Sequence, residues 1–247
     1  MNATLRAELV KHRTTRTDLG LFSGMLGLVL LAVLLHGLTL PADELASTPR
    51  QLMVFGPGQI IGTLFAALLG AMTITAEYRH GTIRPTLLAT PKRAKVVAAK
   101  IATSATIGAG FGLAAGAVTA GAATSTLTAR GIDIQLDSSD YTQLIIGGGI
   151  AAGLWAAIGG GLSAIFRHQV PTLVGLSAWL LFVESLLGDN DTIVEVGRYA
   201  PGAAAAALTG QDPDRLLAPT AGLILLIMYA TAAALAGTRA TAHRDVT

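Results

Sequence analysis

Ser163 and Ser177 are the first candidates for chemistry, because each lies in a Gly-Leu-Ser-Ala segment. A serine nucleophile needs a base within about 3 Å. The histidine that falls within an apolar stretch, His36, lies near the far end of the first stretch, whereas Ser163 lies near the opposite end of the fourth. The sequence also lacks cysteine and any His-Glu-x-x-His pattern. We therefore expect no enzyme, and no catalytic, cofactor-binding or metal residue in this chain.

Two polar residues within apolar stretches are candidates for a transport pathway. Ionisable side chains at membrane depth are rare and commonly functional. Glu184 is the acid within a predicted membrane span, and His36 is the histidine within one. Glu184 also lies about one helical turn from the end of its stretch, where it would reach water. A solvated position is the simpler interpretation for both residues, and a cavity-lining or proton-linked role in a pathway is the alternative.

The segment from Ile74 to Lys100 is the most specific pattern in the sequence, reading ITAEYRHGTIRPTLLATPKRAKVVAAK. Glu77 stands at the end of the second apolar stretch, and His80-Gly81-Thr82 interrupts the helix that continues from it. A short segment from Thr82 to Thr90 carries Leu87 and Leu88 away from the lipid, and Pro91 stops it. A short helix of this kind is shaped to enter a groove on a partner protein.

Composition and hydropathy predict the elements that must position these residues. Only 13% of the 247 residues are charged and 52% are apolar, and the apolar residues form blocks as long as bilayer hydrocarbon is thick. Helices satisfy their own backbone in lipid, so we predict an all-α membrane protein with six transmembrane helices. Their predicted bounds are 20–40, 54–76, 101–127, 141–166, 170–187 and 218–237. We expect residues 1–247 to form a single transmembrane domain.

The distribution of cations predicts the sidedness. The N-terminus, the second and fourth loops and the C-terminal tail together hold thirteen of the seventeen Lys and Arg residues and four of the fifteen acids. The positive-inside rule then places both termini in the cytoplasm, and an even number of spans agrees with this.

Two further segments have a predicted shape. Residues 1–17 form a short amphipathic helix on the cytoplasmic membrane surface, with Leu5 and Leu9 one turn apart; the alternative is a frayed basic tail. The outer connection before the last span contains YAPGAAAAALTG, with Pro201, which is too short to cross the bilayer. It is expected to be a re-entrant or interfacial element.

Small residues recur at helical spacing on two spans. Gly108, Gly112 and Gly116 repeat on the third, and Gly149 and Gly153 on the fourth. Such rows let helix backbones approach closely in lipid. Packing within the chain is the favoured interpretation, and a dimer interface is the alternative.

The loop pattern resembles that of the type-2 ABC transporter permeases, the membrane subunits of ATP-driven exporters. The resemblance implies that this loop is the coupling helix that docks on the ATPase. It extends to the whole layout, although only the loop matches as a motif. The residues it implies for ATPase coupling are Glu77, Arg79, Gly81, Thr82, Arg84, Leu87, Leu88, Pro91 and Arg93, with Lys100 closing the pattern.

The resemblance also implies the partners. No GxxxxGK[ST] loop occurs, so ATP and Mg²⁺ are expected on a separate ABC ATPase subunit. A second permease copy, identical or similar, would complete the pathway in a bacterial cell membrane. The exported substrate is unknown, and no nucleic-acid partner is expected. The alternative function is a permease-like sensor, immunity or scaffold protein that transports nothing.

Overall fold

A computed structural model describes residues 16–42, 45, 47–82, 93–189, 194–212 and 215–243 of the chain. Every regular element within these ranges is a helix. The predicted amphipathic helix lies outside them, except for residues 16 and 17, which begin the first long helix. Residues 83–92, which hold most of the predicted coupling helix, also lie outside.

Six helices in the described ranges are long and apolar enough to cross a membrane, which confirms the predicted number of spans. They are α1 (Arg16–Thr39), α2 (Thr48–Arg79), α3 (Arg93–Ala129), α4 (Ser138–Phe166), α5 (Gln169–Gly188) and α8 (Pro219–His243). Two short helices, α6 (Val194–Gly197) and α7 (Pro201–Leu208), lie between α5 and α8. Helix α7 coincides with the apolar segment predicted to be re-entrant or interfacial.

Several of these helices extend beyond the predicted spans. Helix α3 begins eight residues before the predicted position 101, and α2 continues to Arg79 instead of ending at 76. The length of an apolar segment matches the thickness of the hydrocarbon layer. The helix itself can continue into the polar headgroup region until a turn or capping residue ends it. Pro57 lies inside α2, where neighbouring helices can compensate for its missing N–H group.

Helix α4 forms the centre of the bundle, and its contacts with α2, α3 and α8 are extensive. Of the most apolar 18 residues of α4, 72% are buried, whereas only 17% are buried in the corresponding segments of α1 and α5. Gly112 of α3 packs on the backbone of α4, since a Cβ there would lie 2.6 Å from the Cβ of Ala152 and 2.9 Å from the Cα of Gly149. Gly108 and Gly116 also face α4. The favoured interpretation of the glycine rows, packing within the chain, is confirmed.

The bundle has two ends that differ in chemistry. At the cationic end, α2 and α4 finish and α3 and α5 begin. At the opposite end, the side-chain amide of Gln51 donates to the backbone oxygens of Leu45 and Asp133 at 3.0 and 2.7 Å. There α4 begins with a capping box in which the Asp137 carboxylate accepts from the backbone N–H of Asp140 at 3.0 Å. The opposite end therefore holds its helix termini in place through side chains that bond to the backbone.

Candidate functional site

The loop at the cationic end starts from a well-defined helix terminus. Helix α2 ends at Arg79, and Gly81 has φ +68°. The N–H of Gly81 donates to the carbonyl of Tyr78 at 3.3 Å, and the N–H of Thr82 donates to the carbonyl of Glu77 at 3.0 Å. This is the Schellman arrangement, in which glycine occupies the left-handed position beyond the helix. The spacing Glu-x-x-x-Gly-Thr therefore has a structural cause.

Glu77 and Lys100 form a buried ion pair at the base of the same loop. Nζ of Lys100 lies 2.8 Å from Oε1 of Glu77, and the Lys100 and Glu77 side chains are 1% and 7% exposed, respectively. Glu77 belongs to the last turn of α2, and Lys100 lies near the start of α3. The pair thus joins the two helices between which the loop extends. Both residues belong to the loop pattern, but the pattern did not predict that they meet.

The turn between α4 and α5 contacts the last turn of α2, next to the Glu77–Lys100 pair. The guanidinium of Arg167 lies 5.3 Å from the centre of the Tyr78 ring, and Arg167 itself adopts a left-handed conformation with φ 60°. Nη1 of Arg79 donates to Oε1 of Gln169 at 3.2 Å. The last turn of α2 is therefore connected to α3 through an ion pair and to the α4–α5 turn through an aromatic contact and a hydrogen bond.

Replacing Tyr78 tests whether the aromatic contact holds this turn. Tyr78→Leu is expected to lower the free energy of unfolding by about 1 kcal/mol, because it removes a cation–π contact. Tyr78→Phe keeps the ring, and the Tyr78 hydroxyl has no hydrogen-bond partner among the described residues, so this variant should match the wild type. Thermal unfolding in detergent and hydrogen exchange at residues 167–169 measure the effect. Equal behaviour of the two variants would rule out the contact.

A cleft lies at the opposite end between α2, α5 and α7. Its volume is about 520 Å³, and it also borders the segment that comes after α7. Its walls combine leucine and alanine side chains with polar groups, among them Gln59, Glu184, Arg198 and Arg215. A mixed apolar and polar lining of this size suits an organic molecule.

Glu184 lines this cleft and is bonded on three sides. Its Oε1 accepts from the backbone N–H of Gly202 at 2.7 Å and from the indole N–H of Trp179 at 2.6 Å. Its Oε2 accepts from the N–H of Ala203 at 3.2 Å. His36 is placed differently: it is exposed on α1, its Nδ1 lies 2.9 Å from the carbonyl of Ala32, and it is not part of the cleft wall.

A chain of polar side chains crosses from α2 to the segment after α7, and the sequence reasoning missed it. Nε2 of Gln59 donates to the hydroxyl of Thr63 at 3.2 Å, and Nε2 of Gln211 donates to Oε1 of Gln59 at 3.4 Å and to the hydroxyl of Thr209 at 3.0 Å. The sequence feature that could have indicated this chain is Gln59, an amide residue within an apolar span. Buried or half-buried amides need partners, and these residues supply them to one another.

The structure describes five of the nine residues predicted to couple to the ATPase. Glu77, Arg79, Gly81, Thr82 and Arg93 lie at the ends of α2 and α3. The others, Arg84, Leu87, Leu88 and Pro91, lie outside the described residues. Tyr78, Arg167 and Gln169 join the site from outside the predicted set.

No model of a protein family matches this chain, and no curated protein matches it. The function of the molecule must therefore be inferred from the chemistry of the two ends of its bundle and from the loop pattern between α2 and α3.

Proposed function

We propose that this chain is the membrane subunit of an ATP-driven exporter, and that it docks on a separate ATPase through the loop between α2 and α3. The observation that carries the proposal is the ordered structure at the point where the loop leaves α2 and enters α3. A Schellman turn at Gly81 and the buried pair of Glu77 and Lys100 tie the loop to two long helices. A mobile linker would need neither feature.

The geometry supports mechanical coupling along α2. The last turn of this helix carries Glu77 at the loop, and Gln59, 18 residues earlier in the same helix, lies in the wall of the cleft. A packed helix moves more readily as a rigid body than it deforms. Motion of an ATPase that grips the loop would therefore reach the cleft, which we assign to the pathway.

The remaining parts of the proposal depend on charge and size. The cationic end faces the cytoplasm, since the positive-inside rule applies to its loops. Two copies, or this chain with a similar permease, enclose the pathway in a bacterial cell membrane. ATP and Mg²⁺ bind to the partner ATPase, because this chain has no phosphate-binding loop. The direction, export, comes from the family resemblance.

Substitution of Gly81 tests the docking. Valine at φ +68° is strained by about 1–2 kcal/mol, which corresponds to roughly tenfold weaker docking if that energy is lost from the interface. Gly81→Val is therefore expected to reduce both co-purification of the ATPase and substrate-stimulated ATP hydrolysis. Leu87→Glu should have the same effect, because it replaces an apolar residue of the predicted coupling segment with a charged one.

Two controls separate docking from general strain. Gly81→Asn should bind the ATPase normally, since asparagine tolerates the left-handed conformation. Gly131→Val introduces the same strain at the opposite end, where Gly131 has φ +70°, and should leave docking unchanged. Normal association and normal stimulated hydrolysis in Gly81→Val and Leu87→Glu would remove the coupling role and favour a membrane protein that transports nothing.

A further inference from the structure

Helix α7 begins without a capping side chain of its own. Its N-cap residue is Ala200, and Pro201 occupies the first turn. The first N–H groups of a helix have no partner within the helix and need an acceptor from elsewhere. The carboxylate of Glu184 in α5 supplies it, because it accepts from both Gly202 and Ala203. A negative group at this position also interacts favourably with the helix dipole.

A π-helical segment in α5 directly precedes Glu184. It covers Trp179–Val183, and the N–H of Glu184 donates to the carbonyl of Trp179. The wider turn holds one more residue than an α turn and so rotates the residues beyond it about the helix axis. The indole of Trp179 donates to the same carboxylate oxygen that accepts from Gly202. The local backbone and a neighbouring side chain thus both act on the orientation of Glu184.

The other contacts of α7 come from different helices. Gly147, at the end of a π-helical segment in α4, abuts the carbonyl of Leu208. A Cβ at Gly222 of α8 would lie 2.8 Å from the carbonyl of Ala204. Helix α7 packs most extensively against α8. It is therefore a fixed wall of the cleft that belongs to the body formed by α4 and α8.

The second half of α5 is attached to this body much less extensively. Phe182 and Leu186 are 66% and 68% exposed, and beyond its own helix this half packs mainly against α6 and α7. Gly197 of α6 approaches the carbonyl of Leu187, where a Cβ would lie 2.5 Å from the oxygen. The hydrogen bonds of Glu184 to Gly202 and Ala203 form a polar link between α5 and α7.

We propose that Glu184 is a latch that holds the second half of α5 against α7 and so closes one side of the cleft. When the carboxylate leaves the N-terminus of α7, this half of α5 moves away and the cleft opens sideways toward the lipid. The latch rests on the hydrogen bonds of Glu184 and the packing of α7, whereas its use in transport rests on the function proposed above.

Two spin labels measure the latch directly. The chain contains no cysteine, so Leu181→Cys on α5 and Ala206→Cys on α7 provide a labelled pair across the cleft, since both positions line it. In lipid nanodiscs, Glu184→Ala is expected to lengthen and broaden the distance distribution between the labels. Glu184→Gln should give a smaller change than Glu184→Ala. Its amide oxygen can still accept from one backbone N–H group of α7, whereas its nitrogen cannot accept from the other.

A second route to the same opening uses Gly202. A Cβ there would lie 2.6 Å from the carboxyl carbon of Glu184, so Gly202→Ala should displace the carboxylate and also lengthen the distance. Glu195→Gln is the matched control, since it removes an acid that is 76% exposed nearby, and it should leave the distance unchanged.

The outcomes separate the latch from the transport function. Unchanged distances in Glu184→Ala would overturn the latch; if that variant does not fold, unchanged distances in both Glu184→Gln and Gly202→Ala would do so. An altered distance, together with a failure of any ATPase to co-purify with the wild-type chain, would leave the latch standing and remove the transport proposal. The measurement needs neither substrate nor ATP, so the two results do not depend on each other.

Discussion

Lys100→Met is expected to destabilise the protein by about 3–5 kcal/mol, the usual cost of removing one partner from a buried ion pair. The Lys100 side chain is 1% exposed and its amine lies 2.8 Å from the Glu77 carboxylate. Without the Lys100 amine, the buried Glu77 carboxylate loses this ion pair. Because the pair joins α2 to α3, the loss should appear in thermal unfolding and in hydrogen exchange at both helix ends. ATPase stimulation should fall as well, if the loop docks as proposed.

The double variant Glu77→Gln, Lys100→Met distinguishes charge from packing. It removes both charges and keeps most of the volume, so a large part of the lost stability should return. Lys95→Met is the matched control, because Lys95 is exposed on the same helix and a solvated charge contributes little. If Lys95→Met destabilised the protein as much as Lys100→Met, the buried pair would not be what holds the helix ends together.

The number of spans could be predicted because it depends on the length and spacing of the apolar blocks along the sequence. Blocks of about twenty apolar residues have few alternatives in lipid. Which faces of the spans meet could not be predicted in the same way, because lipid is as apolar as a protein core. Leu28 and Leu31 of α1 are exposed and Val29 is buried, although all three are hydrophobic. Glycine rows are the exception, since small residues permit a close approach that other residues prevent.

The candidate site was predictable where local rules apply. Gly81 was placed at a helix break, and the structure shows why glycine is needed there. Two long-range partners, Lys100 of Glu77 and Gly202 of Glu184, were not predictable, since they lie 23 and 18 residues away along the chain. Helix α7 supplies two of the partners of Glu184, Gly202 and Ala203. The position of α7 is set by its packing against α4 and α8, and the residue pattern within α7 does not predict that packing.

Gly112→Val is the second change with a large expected effect, because α3 and α4 touch through their backbones at this point. A Cβ would meet the carbonyl of Gly148 and lie 2.9 Å from the Cα of Gly149. A helix backbone cannot move aside as a flexible side chain can. We expect a loss on the order of 3 kcal/mol or more from overpacking, seen as a lower yield of monodisperse protein and a lower unfolding temperature.

Gly110→Val tests whether this loss comes from the contact with α4. It makes the same substitution two residues away on α3, where a Cβ would meet nothing within 4 Å, so stability should change little. A lower dimer content in Gly110→Val at unchanged stability would mark that face of α3 as a contact with a second copy. Equal damage from both valines would instead mean that the loss does not come from the contact of Gly112 with α4. The two glycines differ only in what they face, and the comparison therefore isolates the packing of α3 on α4 from the intrinsic preference of the helix.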